Sequence, residues 1–270
     1  SESCNSIDDN CNGVVDDRPI ANDCPLPAID ISTLVNGVGG QNTVSGNNIG
    51  ATTDQSACTS SSYDVFYRFT LSARRMVYFD TFGSGFDTVV SILNSSYGQI
   101  TCTDDSCGSL QTQVMAVLDP GTYYVRVAGF GGNSGSFVLN AQRLPASSSI
   151  YNFNAGYTTY SGNTSTASDQ AGPGGLCYDY GGRDHMYYWI ACPTQVAGTV
   201  YATTCSRAGW DTLLRYIDGR SGSSNCIDDS CGLQSTLSLS SSAGAGIRAM
   251  YVDGYSSGSY GSYSVYAGRP

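Results

Sequence analysis

The chain carries most of its own sequence twice, and that duplication restricts the fold more than any other feature. SGNNIGATTDQSAC (45–58) is answered by SGNTSTASDQAGPGGLC (161–177), and YDVFYRF (63–69) by RDHMYYWI (183–190). GFDTVVSIL (85–93) is answered by GWDTLLRYI (209–217), and CTDDSCG (102–108) by CIDDSCG (226–232). Asp87 lies fifteen residues before Cys102, and Asp211 lies fifteen before Cys226. Both halves close on Gly- and Tyr-rich runs, GTYYVRVAGFGGNSGSFVLNA (121–141) and GIRAMYVDGYSSGSYGSYSVYAG (246–268). A fold for one half must therefore serve both.

Each half alternates apolar and polar residues in short runs bounded by Gly, Ser, Asn and Asp. Val77, Phe79 and Thr81 share one face of such a run, and Tyr123, Val125 and Val127 share one face of another. Runs of this kind every 8–12 residues, with no sustained helical period, predict a sandwich. The 20 Tyr and 33 Gly suit strands and turns. The expected class is all-β: two tandem antiparallel, jelly-roll-like β-sandwiches behind a short N-terminal acidic loop tied by cysteines. The expected boundaries are 1–24 for the acidic motif, 25–44 for a linker with an edge or exchanged strand, 45–144 for the first sandwich and 145–270 for the second.

The order D-x-F-Y-x-F, F-D-T, D-D-S, G-T-Y-Y resembles the bacterial pre-peptidase C-terminal domain. The matching residues are Asp64, Phe66, Phe69, Asp87, Thr88, Leu93, Asp104, Asp105, Ser106, Gly121, Tyr123 and Tyr124. The second copy departs from it: His185-Met186 replaces Val65-Phe66, and Ala245-Gly246-Ile247 replaces the Gly-Thr-Tyr entry to the closing strand. The resemblance implies a non-catalytic module of secreted or surface proteins, used for targeting, binding or assembly.

Net charge is −10, all 12 basic residues are Arg, and Glu2 is the sole Glu among 22 acids. No basic cluster exists to neutralise phosphates, so no nucleic-acid partner is expected. No apolar run reaches membrane-spanning length, so no membrane insertion is expected. The absence of Lys excludes Schiff-base and P-loop chemistry. Eleven cysteines with a single His point to an oxidising compartment, and hence to a secreted or cell-surface location. Spacing suggests the pairs Cys4–Cys11, Cys102–Cys107, Cys226–Cys231, Cys192–Cys205 and Cys24–Cys58, with Cys177 left over.

Asp-rich loops suit hard divalent cations. In CNSIDDNCNGVVDD (4–17), Asp8, Asn10, Asn12, Asp16 and Asp17 follow the start of a calcium loop, with Gly13 at the sharp turn. The closing Glu of an EF-hand is missing, so a shortened loop is implied. The stretch also resembles the short acidic metal-binding (MopE-like) repeats of bacterial surface proteins. Copper would want His or thiolate, so calcium is the expected ion. Asp104 and Asp105 with Asp87, and Asp228 and Asp229 with Asp211, either ligate calcium too or accept backbone hydrogen bonds in tied turns. No other cofactor is indicated.

Residues 28–35 (AIDISTLV) read as a strand with Ile29, Ile31 and Val35 alternating. It is either an edge strand of its own domain or a strand added to a neighbouring subunit. No counterpart of equal strength precedes the second repeat. His185 falls in a strand run, no nucleophile elbow is present, and the paired Asp are adjacent in sequence, so no enzyme is expected. Sequons occur at Asn94 and Asn163. The expected function is a subunit of an extracellular fibre or surface assembly, a self-associating homo-oligomer. The alternative is a carbohydrate- or protein-binding appendage of a secreted hydrolase, with a surface glycan as partner and Tyr, Trp189 or Trp210 as stacking rings.

Overall fold

Duplicated strand patterns become two units with one strand order. The computed structural model describes residues 4–5, 7, 11, 20, 22–37, 40–55, 58, 62–170, 177 and 180–270. The first unit is built around Asn42–Ala73 and Val77–Gln142, the second around Arg143–Pro270. Strands hold 51% of the residues and helix 3%, which makes the class all-β.

In the first unit, β1 (Ile29–Asp30), β3 (Asp64–Leu71), β8 (Gly121–Gly129), β5 (Thr88–Leu93) and β6 (Gln99–Thr103) form one sheet in the order β1-β3-β8-β5-β6. The facing sheet is β2 (Asn42–Asn47), β9 (Ser136–Pro145), β4 (Arg75–Asp80) and β7 (Gln113–Leu118), in the order β2-β9-β4-β7. In the second unit, β10 (Ile150–Asn152), β12 (His185–Ala191), β17 (Gly246–Gly254), β14 (Thr212–Asp218) and β15 (Ser224–Ile227) run β10-β12-β17-β14-β15. Opposite them, β11 (Gly156–Asn163), β18 (Ser262–Arg269), β13 (Gly198–Thr203) and β16 (Thr236–Ser241) run β11-β18-β13-β16. Each strand of the first unit has its counterpart in the second.

Sequence pattern tracks layer. Gln-Val-Met-Ala-Val-Leu of β7 alternates, and its burial alternates with it. Thr-Val-Val-Ser-Ile-Leu of β5 is an unbroken run, and all six residues are buried. Such a run marks a strand covered on both faces. The first core packs Tyr67, Phe69, Val77, Phe79, Ile92 and Val125 between the sheets. The second packs Tyr187, Trp189, Tyr216, Met250, Tyr263 and Val265. At about 25 cal/mol per Å² of apolar surface removed from water, these clusters dominate the stability of each unit.

Burial on the second face of the five-stranded sheets brings charge inside. Arg126 and Asp64 are fully buried and joined Nε to Oδ2 at 2.6 Å. Burial pushes Asp64 up to about 6, against the opposing pull of Arg126. In the twin unit, Tyr251 on β17 occupies the position of Arg126, and the buried cation beside it is Arg215 on β14. A second buried pair, Arg248–Asp218 at 3.2 Å, has no counterpart among the described residues of the first unit.

Three expectations change. The residues read as the strand 28–35 give only the two-residue β1, which pairs parallel to β3, followed by the helix α1 (Ser32–Asn36). Ile31 and Val35 are four residues apart, so a helical turn puts both on one face, and both enter the core of their own unit. Ile29 stays outside, at 42% exposure. These residues are therefore not a free assembly strand. The second repeat also has the edge element that seemed weak in sequence: β10 lies parallel to β12, as β1 does to β3.

The cysteine pairs differ as well. The bonds are Cys4–Cys24, Cys58–Cys102, Cys177–Cys226 and Cys205–Cys231, and Cys107 and Cys192 are disulfide-bonded too. Cys4 thus bonds Cys24 and not Cys11, which is exposed. Cys177, expected to be left over, is bonded. The local rings 102–107 and 226–231 do not form because the two cysteines of each loop serve different sheets. Cys102 sits on β6, where the Ser91 hydroxyl donates to its sulfur at 3.2 Å. Cys107 lies past the turn, where Gln113 of β7 donates to it at 3.3 Å.

Candidate metal centres

Both acidic loops stand on the same polar knot. In the first unit the Thr81 hydroxyl meets the Thr88 hydroxyl at 2.6 Å and accepts from the Thr112 N–H at 3.1 Å. The Thr81 N–H donates back to the Thr112 carbonyl at 2.9 Å. In the second unit Thr204 meets Thr212 at 2.6 Å and accepts from the Ser235 N–H at 3.1 Å, and its own N–H donates to the Ser235 carbonyl at 3.0 Å. All six residues have no exposed surface. Buried hydroxyls persist only when bonded, so each knot fixes where three chain segments cross. One is the start of β5 or β14, immediately after Asp87 or Asp211.

The surrounding backbone repeats too. The Asp87 carbonyl accepts from the Phe130 N–H at 3.1 Å, and the Asp211 carbonyl from the Tyr255 N–H at 3.2 Å. Thr88 N–H donates to the Leu110 carbonyl and Thr212 N–H to the Leu233 carbonyl, at 3.0 and 2.8 Å. The DDSC loop is thereby folded back over the Asp-Thr corner.

Sequence and structure agree on what meets there. One carboxylate oxygen from each of Asp87, Asp104 and Asp105 lies within 4.8 Å of the others, and Asp211, Asp228 and Asp229 do the same. Burial, then the charges of Asp104 and Asp105, raises Asp87 above the ordinary carboxylate range. Asp211 is raised by burial and by Asp229, and Asp228 by burial, Asp229 and Asp211. One oxygen each of Asp87, Asp211 and Asp228 is shut off from solvent without a hydrogen-bond donor among the described residues. The Asp105 N–H donates to Asp104 Oδ1 at 3.0 Å and the Asp229 N–H to the Asp228 carboxylate, as a tied turn would have it, while the unbonded oxygens of Asp87, Asp211 and Asp228 are ones a cation would satisfy. Three convergent carboxylates, completed by carbonyls or water, fit a hard divalent ion.

Other predicted positions fall elsewhere. Asp8, Asn10, Asn12, Asp16 and Asp17 lie outside the described residues. His185 is buried on β12, with Nδ1 2.9 Å from the Tyr263 hydroxyl, and burial lowers its pKa. Trp189 is core, and Trp210 packs against that core while its indole N–H donates to the Ser262 carbonyl at 3.0 Å. Asn94 and Asn163 are exposed, but each side chain is engaged. Asn94 accepts from the Ser96 and Gly98 N–H groups, and Asn163 bridges Ser165 and Ser262. The threonine knots were missed in sequence, although the shared Asp-Thr dipeptides at 87–88 and 211–212 were a signal for them.

No protein-family model and no curated protein matches this sequence. Among solved structures it is similar to the pre-peptidase C-terminal domain of a collagenase from Bacillus anthracis, at 15% identity and a TM-score of 0.30. That match covers 47% of this chain and 99% of the other. The chain is also similar to an archaeal virus protein with a triple jelly roll fold, from a study of turret assembly, at 13% identity and a TM-score of 0.24. There it covers 86% of this chain and 59% of the other. Allantoicase matches at 9% identity and a TM-score of 0.19, over 88% of this chain and 95% of that one.

Proposed function

We propose that this chain is a non-enzymatic structural protein of an extracellular assembly, made of two calcium-stabilised β-sandwich modules. The observation that carries this reading is the acidic corner, built twice on the same threonine knot. A device repeated in each module and welded into its core supports the module; an active site is rarely needed twice. His185, the single residue with an ordinary pKa near neutrality, is inside a strand and bonded to Tyr263. Ten disulfide-bonded cysteines favour an oxidising compartment, which agrees with secretion.

Assembly is assigned to edges other than residues 29–35. β2 and β11 are end strands of their sheets, and their sequences NTVSGN and GYTTYSGN contain neither charge nor proline. Natural edges usually carry such blocks, and an edge without them is a template for another strand. Joining one such edge to another head to tail does not close, so it extends into a fibre.

Negative-stain electron microscopy and sedimentation of the purified chain with and without 10 mM Ca²⁺ (a value chosen to exceed ordinary extracellular affinities of roughly 10⁻⁴–10⁻³ M) test the reading. Filaments or layers are expected in calcium, and their loss in the double variant Ser45→Lys, Ser161→Lys, which charges both edges. A monodisperse monomer in both buffers would refute the assembly.

A further inference from the structure

The outer face of the sheet β11-β18-β13-β16 carries a cluster of tyrosines. Tyr157 is 59% exposed and Tyr266 36% exposed. Their rings stack with centroids 5.8 Å apart and planes 26° apart. Tyr201 completes the cluster, 6.2 Å from Tyr157 and 6.4 Å from Tyr266. Strand register places them: Tyr157 on β11 and Tyr201 on β13 are both directly opposite Gly268 on β18. A Cβ on Gly268 would stand 2.5 Å from the Tyr157 ring. The missing side chain is what lets that ring lie flat on the sheet.

The twin unit keeps a tyrosine, Tyr78, at the place of Tyr201, three residues before the knot threonine, but has no ring at the place of Tyr266. Asn140 on β9 holds the place of Tyr266, and its amide donates to Asp80 on the neighbouring β4 at 2.7 Å. The other outward positions around the tyrosines are hydroxyls, among them Thr159, Ser264, Thr203 and Ser238. In a chain of net charge −10, the outward positions of these four strands carry no carboxylate. One cation overlooks them. The exposed Arg207 guanidinium sits 5.7 Å from the Tyr266 ring centre and makes no ion pair among the described residues.

From this we infer that the outer face of this sheet binds an acidic glycan. Tyr157 and Tyr266 stack on successive sugar rings, and Arg207 holds a uronate or sulfate group. Aromatic faces attract the C–H side of a pyranose, while tyrosine tips and neighbouring hydroxyls bond its rim. A guanidinium matches the planar, two-oxygen geometry of a carboxylate or sulfate. The local charge is opposite to that of such a ligand, whereas the rest of the molecule repels it, which confines the glycan to this face. The inference depends on neither the calcium nor the fibre reading, since the face lies within one sheet of one unit.

The test titrates the full chain, in EDTA, with three hexasaccharides: oligogalacturonate, a heparin-derived sulfated oligomer and neutral maltohexaose. At least one acidic oligomer is expected to bind more tightly than maltohexaose. Tyr157→Ala and Tyr266→Ala should each weaken it by roughly tenfold, the scale of one good aromatic contact. Tyr157→Phe should retain most affinity, and Arg207→Gln should bring the acidic oligomer down to the neutral one. Gly268→Val, which lifts the Tyr157 ring without removing it, should weaken binding as Tyr157→Ala does. Gly268 is buried beneath the Tyr157 ring and the other three positions are not buried, so an unchanged far-ultraviolet spectrum and melting profile is required of each variant to separate lost binding from lost fold. Failure of both acidic oligomers to bind, or binding indifferent to Tyr157→Ala and Tyr266→Ala, or a face that captures only protein, overturns the inference.

Discussion

Neutralising Asp87 should change the stability of the first module in opposite directions with and without calcium. In EDTA the triad is three like charges whose oxygens lie within 4.8 Å of one another. At that separation and water-like permittivity each pair costs about 0.9 kcal/mol. Asp87→Asn removes two of the three pair interactions, so after screening and partial protonation it should stabilise the metal-free module by roughly 1–2 kcal/mol. In calcium at about 100 times the dissociation constant, the wild-type module gains about 2.7 kcal/mol by mass action. At roughly 4 °C per kcal/mol for a unit near this size, that is a melting shift of about 10 °C, and the variant should lose most of it. Asp211→Asn should repeat the pattern in the second module.

The pH dependence carries the same sign logic. Asp87, Asp211 and Asp228 are raised in the folded state, so above the ordinary carboxylate pKa of about 4 the folded protein holds more protons than the unfolded chain. Stability in EDTA therefore falls as pH rises through that window. Calcium displaces those protons and reverses the slope, and subtracting one buffer from the other cancels all other titrations, Asp64 included. Differential scanning calorimetry from pH 4 to 7 reads both effects. Equal melting profiles in the two buffers, or an Asp87→Asn shift of one sign in both, would show that the triads hold no cation.

Three further outcomes follow from the packing. Thr81→Val and Thr204→Val each strand a buried N–H and a buried hydroxyl, so each should cost about 1–3 kcal/mol in its own module's transition; a change below a few tenths would discount the knots. Asp218→Ala leaves Arg248 charged and buried, a loss of about 3–5 kcal/mol by chemical denaturation. Burial alone would raise Asp218, yet bonds from Ser242 and the charge of Arg248 outweigh it and hold the carboxyl low. Its contribution is thus present above pH 4 and fades only as pH falls toward that lowered value, which an acid titration of the second module's melting can follow. Removing Cys205–Cys231 by Cys205→Ser with Cys231→Ser opens a loop of 26 residues and should cost about 3.5 kcal/mol in the chain-entropy model. Non-reducing peptide maps should join Cys58 to Cys102, and a peptide joining Cys102 to Cys107 would contradict the fold.

The acidic corners were legible because two separate signals had to be placed together. The Asp-Thr pair and the Asp-Asp loop keep the same fifteen-residue spacing in both repeats, and two antiparallel strands, β5 with β6 and β14 with β15, close that spacing. What the spacing left open was which oxygens would face backbone donors and which would face each other. That depended on the fold-back held by Thr112 and Ser235, which lie beyond the loops. The segment 28–35 misled because Ile29, Ile31 and Val35 satisfy a period of two, while Ile31 and Val35 also satisfy a helical turn. Only the shape of the adjoining core selects between them.

Duplication and two-residue alternation, both written locally along the chain, were enough to determine two all-β sandwiches with matching acidic corners. A strand exposes alternate residues wherever it lies, so that information survives without knowing its neighbours. The cysteine partners, the helix at 32–36, the relocated buried arginine and the tyrosine face over Gly268 were decided by tertiary structure alone. Each depends on which strand lies beside which and in what register, and those pairings arise between residues dozens of positions apart.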